Sequence, residues 1–366
     1  MIEFLSLKKR TSLHADEIKK AVCEVIDGGW YVLGRQVTLF EQQYAAYIST
    51  KFCVGVGNGL DAIVLIYRAY IQLGWMKPGD EVIVPANTYI ASILAISECG
   101  LTPVLVEPEM DTLLIDPSRI EEKMTQRTRS ILTVHLYGRC AYGEQLENIC
   151  KKYHLLLVED NAQAHGCSYN GHKTGSLGHA AAHSFYPTKN LGAMGDAGAV
   201  TTDDETLAAC VRAMRNYGSS QKYVFDYKGR NSRLDEMQAA VLNVRLQYLD
   251  EENARRRRLA AYYYQSIHQP LVSLPIVIPE EQNVWHLFPI LCPDRDRLQQ
   301  YLLSQGIETQ VHYPIPPHHQ KCYEEWSRVV LPVTERIHDT VLSLPVGPEL
   351  TWEEARRVAE AVNRFS

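Results

Sequence analysis

From about residue 50 onward the chain alternates short apolar runs with amphipathic stretches of helical period. The runs are Cys53–Val56, Glu81–Val84, Pro103–Val106, Ser130–Leu136, Leu155–Val158 and Ala180–Phe185. Between them lie Asp61–Leu73, Tyr89–Cys99 and Gly143–Tyr153, whose apolar positions follow one helix face. Strands apolar on both sides, separated by helices, predict an α/β fold with a mostly parallel sheet covered on both faces. Such sheets bind ligands beyond the carboxyl ends of their strands. Tyr89, Asp160, Ser184 and the Gly57–Gly59 turn all fall just past those ends, so they are expected to converge on one cleft.

The flanks differ. Residues 14–50 are helical in pattern, interrupted at Gly28-Gly29 and Gly34, and Asp235 to about His268 reads as one long helix. Pro270–Pro279 looks like a linker into a smaller unit with a strand at Trp285–Leu291 and helices at Asp294–Gln305 and Trp352–Arg364. The expected domains are 1–250 and 251–366. The segment His312-Tyr313-Pro-Ile-Pro-Pro-His-His cannot lie inside a helix or a central strand. It is expected to form a rigid loop reaching back to the cleft. No internal repeat or low-complexity tract is evident.

Composition narrows the class. A chain of 366 residues with 46% hydrophobic and 22% charged content suits a soluble enzyme of two domains. A net charge of -6 and a pI near 6.1 argue against nucleic acid or an anionic membrane as partner. Arg255–Arg258 reads as the charged face of a helix. The 9 cysteines contain no Cys-x-x-Cys pair, which fits free thiols in a reducing compartment. His318 and His319 are adjacent, poor geometry for chelation from a helix or strand, and no metal is expected. The N-terminus lacks a signal-peptide pattern, and apolar segments such as Ile90–Ile96 are too short to span a bilayer. A cytoplasmic protein is expected.

The most informative residue is Lys189, in Ser184-Phe-Tyr-Pro-Thr-Lys189-Asn-Leu-Gly, 29 positions after Asp160 in Glu159-Asp160-Asn-Ala-Gln163-Ala-His-Gly166. A lysine amine can form a Schiff base with an aldehyde, and a strand-end carboxylate can keep a pyridine nitrogen protonated. Pyridoxal phosphate chemistry needs both groups. Gly55-Val-Gly57-Asn58-Gly59-Leu60 follows a strand and opens a helix, so its free amides can hold a phosphate. Two alternatives compete. The same turn could bind a dinucleotide with Asp80 or Glu81 as ribose acid, although its third glycine falls one position early. Tyr186 and Lys189 could be a short-chain dehydrogenase pair, although they stand three apart where that family uses four.

Taken together the chain resembles the pyridoxal-phosphate-dependent nucleotide-sugar aminotransferases of the DegT/StrS group. The resemblance rests on Gly57-Asn-Gly-Leu-Asp-Ala62, Pro85-Ala-Asn-Thr88-Tyr89-Ile-Ala91-Ser92, the Asp160 and Lys189 segments, and Gly229-Arg-Asn231-Ser-Arg233-Leu-Asp235-Glu-Met-Gln238. It implies a fold-type-I architecture: a large domain with a mostly parallel seven-stranded sheet between helices, and a smaller α+β C-terminal domain. It further implies that Lys189 carries the cofactor, Asp160 pairs with its ring nitrogen, Tyr89 stacks on the ring and Gln163 lies near the ring hydroxyl. Gly59, Leu60 and Ser184 would hold the phosphate, joined by Asn231 from the other subunit of a homodimer. Leu60 departs from the group, where Thr is common.

Because Lys189 is kept, transamination is expected rather than the dehydration catalysed by a group member with histidine in that place. L-glutamate is the implied donor and a keto-sugar nucleotide the acceptor. Tyr186 and Gly195-Asp-Ala-Gly198 look most like the enzymes acting on dTDP-3-keto-6-deoxyhexoses, with the 4-keto-sugar enzymes as alternative. Tyr186, His312, Tyr313 and the Tyr217–Tyr223 loop are the candidate substrate contacts. A nicotinamide-dependent sugar oxidoreductase and a non-catalytic regulator remain as other classes. Against the regulator, a mere binder needs neither Lys189 nor Asp160.

Overall fold

A computed structural model describes residues 1–366. Its centre is a seven-stranded sheet of β1 (Phe52–Val56), β2 (Glu81–Pro85), β3 (Thr102–Val106), β4 (Thr128–Val134), β5 (Leu156–Asp160), β6 (Ala180–Ser184) and β7 (Gly198–Thr202), in the order β1-β7-β6-β5-β4-β2-β3. β7 runs antiparallel to both neighbours; the pairs from β6 through to β3 are parallel. Six strands match the apolar runs. The seventh, Gly-Ala-Val-Thr-Thr, is missing from them because its small and hydroxylated side chains carry little apolar signal, though it is wholly buried.

The sheet faces are built by strict alternation. Val82 and Val84 of β2 enter one core with α4 (Gly59–Gln72), α5 (Ala91–Glu98) and α7 (Glu205–Met214), while Ile83 between them enters the opposite core. That second face is covered by α6 (Glu144–Tyr153) and, nearer β1 and β7, by α3 (Arg35–Ile48) and α8 (Glu236–Leu246). A fully buried Val, Leu or Ile side chain is worth about 1.5–3 kcal/mol, so strands filled on both faces anchor the sheet. β1 lies at the sheet edge and pairs only with antiparallel β7. The dinucleotide reading of its Gly-rich turn wanted the first, central parallel strand of a unit, which this topology does not provide.

Two expectations are corrected. The helix expected over Asp235–His268 is two helices, α8 and α9 (Leu249–Ser266), broken at Gln247-Tyr248. Arg255–Arg258 is no simple solvated face: Arg256 is buried and donates to the carbonyls of Trp285 and Val346. It is drawn into a separate core formed by α9, β8 (Phe288–Leu291), α10 (Arg295–Ser304), β9 (Val341–Leu344) and α12 (Trp352–Asn363). β8 is shorter than the Trp285–Leu291 run, and β8 and β9 pair antiparallel. Among the described helices none is long and apolar enough to cross a membrane.

Candidate active site

The cleft forms at the carboxyl edge of β5 and β6, where Asp160 and Ser184 are the last strand residues rather than the first beyond. Asp160 is buried. Its carboxylate accepts from the Ser92 hydroxyl (2.7 Å) and the Ala162 amide (3.1 Å). A carboxylate has room for about four donors, so one more can be received. Ser92 lies in a segment singled out by sequence, yet only the fold reveals its contact with Asp160.

Lys189 sits half-buried on the loop after β6. Desolvation pulls its ammonium down to about 8, and the charge of Asp160 partly opposes this. The loop is clamped from a distant element, the short helix α1 (Leu7–Ser12). Arg10, 3% exposed, donates to the carbonyls of Lys189 (2.6 Å) and Asn190 and pairs with Glu252. Asn190 is held in turn by Asn253 (2.9 Å) and the Val284 carbonyl (3.0 Å). Nothing in the local sequence pairs Arg10 with Lys189; α1 is remote in the chain.

The phosphate-binding elements meet. Asn58 caps α4 by accepting from the Asp61 amide (2.8 Å), which leaves the first amides of the helix facing the cleft. Gly59 packs so closely on β6 that a Cβ there would stand 2.6 Å from Ser184 Cβ. Leu60 is half-buried beside it against the α4 core. Gly59 and Ser184 thus line one small cradle, and the glycine is required by the approach.

A second group closes the other side. Gln163 accepts from the Tyr137 amide (2.6 Å) and donates to the Tyr313 hydroxyl (3.0 Å). Tyr313 lies 5.2 Å from the exposed ring of Tyr89, centroid to centroid. His312 contacts Ser343 (3.0 Å), and its carbonyl accepts from the Tyr137 hydroxyl (2.7 Å). Burial, and then the charge of Lys189, push the His312 imidazole down to about 4. The proline-rich loop does return to the cleft, as its sequence predicts.

The remaining candidates are exposed. Tyr186 is exposed just beyond Ser184. Tyr217 lies under Arg233, and Tyr223, 81% exposed, under Lys222. Asn231 is exposed and forms only a backbone bridge to Asn216. Within one chain, no contact brings Tyr223 or Asn231 to Lys189.

The neighbouring histidines are structural. His183 is buried, hydrogen-bonded to Tyr44 (2.9 Å) and Thr201 (2.8 Å), and pushed down to about 3, chiefly by burial. His135 meets Glu159 at 2.8 Å while its Nδ1 accepts from the Ala141 amide, fixing the neutral Nε2–H tautomer.

The DegT/DnrJ/EryC1/StrS aminotransferase family profile matches residues 13–363. The chain belongs to this family. Relatives agree over the whole length. The dTDP-3-amino-3,6-dideoxy-alpha-D-galactopyranose transaminase of Aneurinibacillus thermoaerophilus is 53% identical, covering 100% of this chain and 99% of its own. The crystal structure of Streptomyces venezuelae DesV in complex with a ketimine intermediate superposes with a TM-score of 0.95 at 47% identity, covering 99% of this chain and 97% of its own. NtdA of Bacillus subtilis, with bound PMP, gives 0.89 at 33%, covering 98% and 83%. The protein is thus an aminotransferase, in a family that depends on pyridoxal phosphate.

Proposed function

We propose that this aminotransferase uses pyridoxal phosphate on Lys189 to move an amino group from L-glutamate to a dTDP-3-keto-6-deoxyhexose, giving a dTDP-3-amino-3,6-dideoxyhexose. The observation that carries the chemistry is a desolvated Lys189 beside the buried, under-donated Asp160 at the sheet edge. Full-length kinship to the carbon-3 enzyme of A. thermoaerophilus supports this acceptor over a 4-keto sugar.

The residues fit the cofactor. Asp160 would hold a proton on the pyridine nitrogen, Tyr89 would cover a ring face, and Gln163 would face the ring hydroxyl. The amides of Gly59 and Leu60 and the Ser184 hydroxyl would take the phosphate. Bound pyridoxal phosphate supplies an electron sink next to the reacting carbon. Lys189, tuned toward neutrality, would take a proton from one carbon and return it to the next. Tyr186, Tyr217, Tyr223, His312 and Tyr313 are assigned to the sugar nucleotide.

The working unit is a homodimer in which Asn231 reaches the second copy's phosphate site. In its favour, Trp30 and Tyr223 are 67% and 81% exposed, apolar surface that a second copy would cover. The division at 250/251 and a cytoplasmic location complete the proposal.

The visible absorption spectrum of purified protein tests it. A cofactor band that bleaches with L-glutamate in wild type and is absent in Lys189→Ala is expected; no band after adding pyridoxal phosphate refutes it. Turnover with the 4-keto but not the 3-keto sugar nucleotide would overturn the acceptor alone.

A further inference from the structure

His318 and His319 look like poor chelators while their backbone is taken as helix or strand. Neither conformation is present. Pro317–His319 is a single 3-10 turn, and it folds the two imidazoles to the same side, with ring centroids 4.2 Å apart. α11 (Pro332–Thr340) brings a carboxylate to them. Glu335 Oε1 stands 3.2 Å from His318 Nε2 and 3.8 Å from His319 Nε2, and all three ligand atoms fall within 4.8 Å of one another.

We propose that His318, His319 and Glu335 form a binding site for one late first-row divalent cation of the zinc class, independent of the cofactor cleft. Metal–ligand bonds of about 2.0–2.1 Å in a tetrahedron place ligand atoms about 3.3–3.5 Å apart. The two measured separations bracket that value, and the third, between the two imidazole nitrogens, is at most 4.8 Å, so an ion fits once the exposed His319 ring swings toward His318. Two imidazoles and one carboxylate are donors that zinc, cobalt and nickel share. The carboxylate is already aimed, because Glu335 also accepts from the Leu331 amide at 3.0 Å. His318 Nε2 faces the carboxylate, and an ion bound there would shift the ring proton to the buried, unpartnered Nδ1, which lowers the affinity of the site. A hollow of about 500 Å³ opens beside both histidines, lined also by Tyr323 and Glu324. It gives an ion entry and leaves space for water as fourth ligand.

The site lies beside the substrate loop. His338, three residues after Glu335 on α11, donates from Nδ1 to the Tyr313 carbonyl at 2.7 Å. An ion at Glu335 would tie the 317–319 turn to the same helix and stiffen the segment that carries His312 and Tyr313.

Cobalt titration of tag-free, chelator-treated holoprotein tests this. Saturable binding of about one equivalent, with the intense visible bands of four-coordinate cobalt, is expected. His319→Leu keeps the His318–Glu335 contact and the fold, and should weaken binding by about tenfold or more. Zinc should raise Tm in the wild type and not in His319→Leu. Absence of a saturable signal, or equal binding by wild type and His319→Leu, overturns the proposal. The cofactor band, read in the same cuvette, should not change.

Discussion

At the scale of single residues, chemistry here depends on what burial does to an amine. Lys189 is held at about 8 by desolvation, with Asp160 pulling the other way. At pH 7 about a tenth of such amines are neutral, against about 0.03% for an ordinary lysine. In cofactor-free protein, the rate of capturing added pyridoxal phosphate should therefore rise through an inflection near 8. An inflection near 10.5 would contradict the desolvation argument. Asp160→Asn removes the influence that raises this pKa, so the inflection should move lower. Arg10 makes a second residue-scale prediction. Arg10→Ala would strand the Lys189 and Asn190 carbonyls and leave Glu252 with His14 as its only side-chain partner. A loss of about 3 kcal/mol is expected in urea unfolding, since breaking a buried pair strands the surviving charge. Lys189 was legible because its neighbours in the chain are distinctive. Arg10 was not, since its partners are 179 and 180 positions away.

Elements show how local signals and long-range contacts divide the work. α4 carries its own start signal: Asn58 caps it and Gly59 permits contact with Ser184. α3 does not, because Gly34 supplies no capping side chain. Its free amides are instead met by Glu236, the first residue of α8, which accepts from Gly34 (2.8 Å), Gln36 (2.8 Å) and Val37 (3.0 Å). Glu236→Ala should cost about 2–3 kcal/mol, since three charge-assisted bonds to otherwise orphaned amides are lost. Equilibrium unfolding checks this, and a change below 1 kcal/mol would mean that water replaces the carboxylate. The same reasoning explains the element that sequence missed. β7 is buried by its place between β1 and β6, not by the hydrophobicity of Gly-Ala-Val-Thr-Thr.

For the whole molecule, the decisive question is whether one chain makes a complete site. Asn231 is exposed and no contact brings it to Lys189 of its own chain. If it serves the other copy, Lys189→Ala and Asn231→Ala should complement. A mixed dimer has one site lacking both groups and one site with both intact. Mixing and reassembling the two inactive variants should thus restore up to about half of the wild-type activity per mixed dimer. No recovery after demonstrated subunit exchange would place Asn231 in its own chain's site.

The α/β class, six of the seven strands, and Lys189 and Asp160 as candidates for one site are all readable from the order of residues alone. Apolar periodicity and small chemical motifs are local properties, readable wherever a few adjacent residues act together. Folding alone reveals that Ser92 donates to Asp160, that Arg10 clamps the lysine loop and that Arg256 is buried. It also shows that a 3-10 turn turns two adjacent histidines toward Glu335. Each joins positions far apart in the chain or depends on an unforeseen backbone turn. Their energies come from desolvation and close approach, which exist only once the chain has folded.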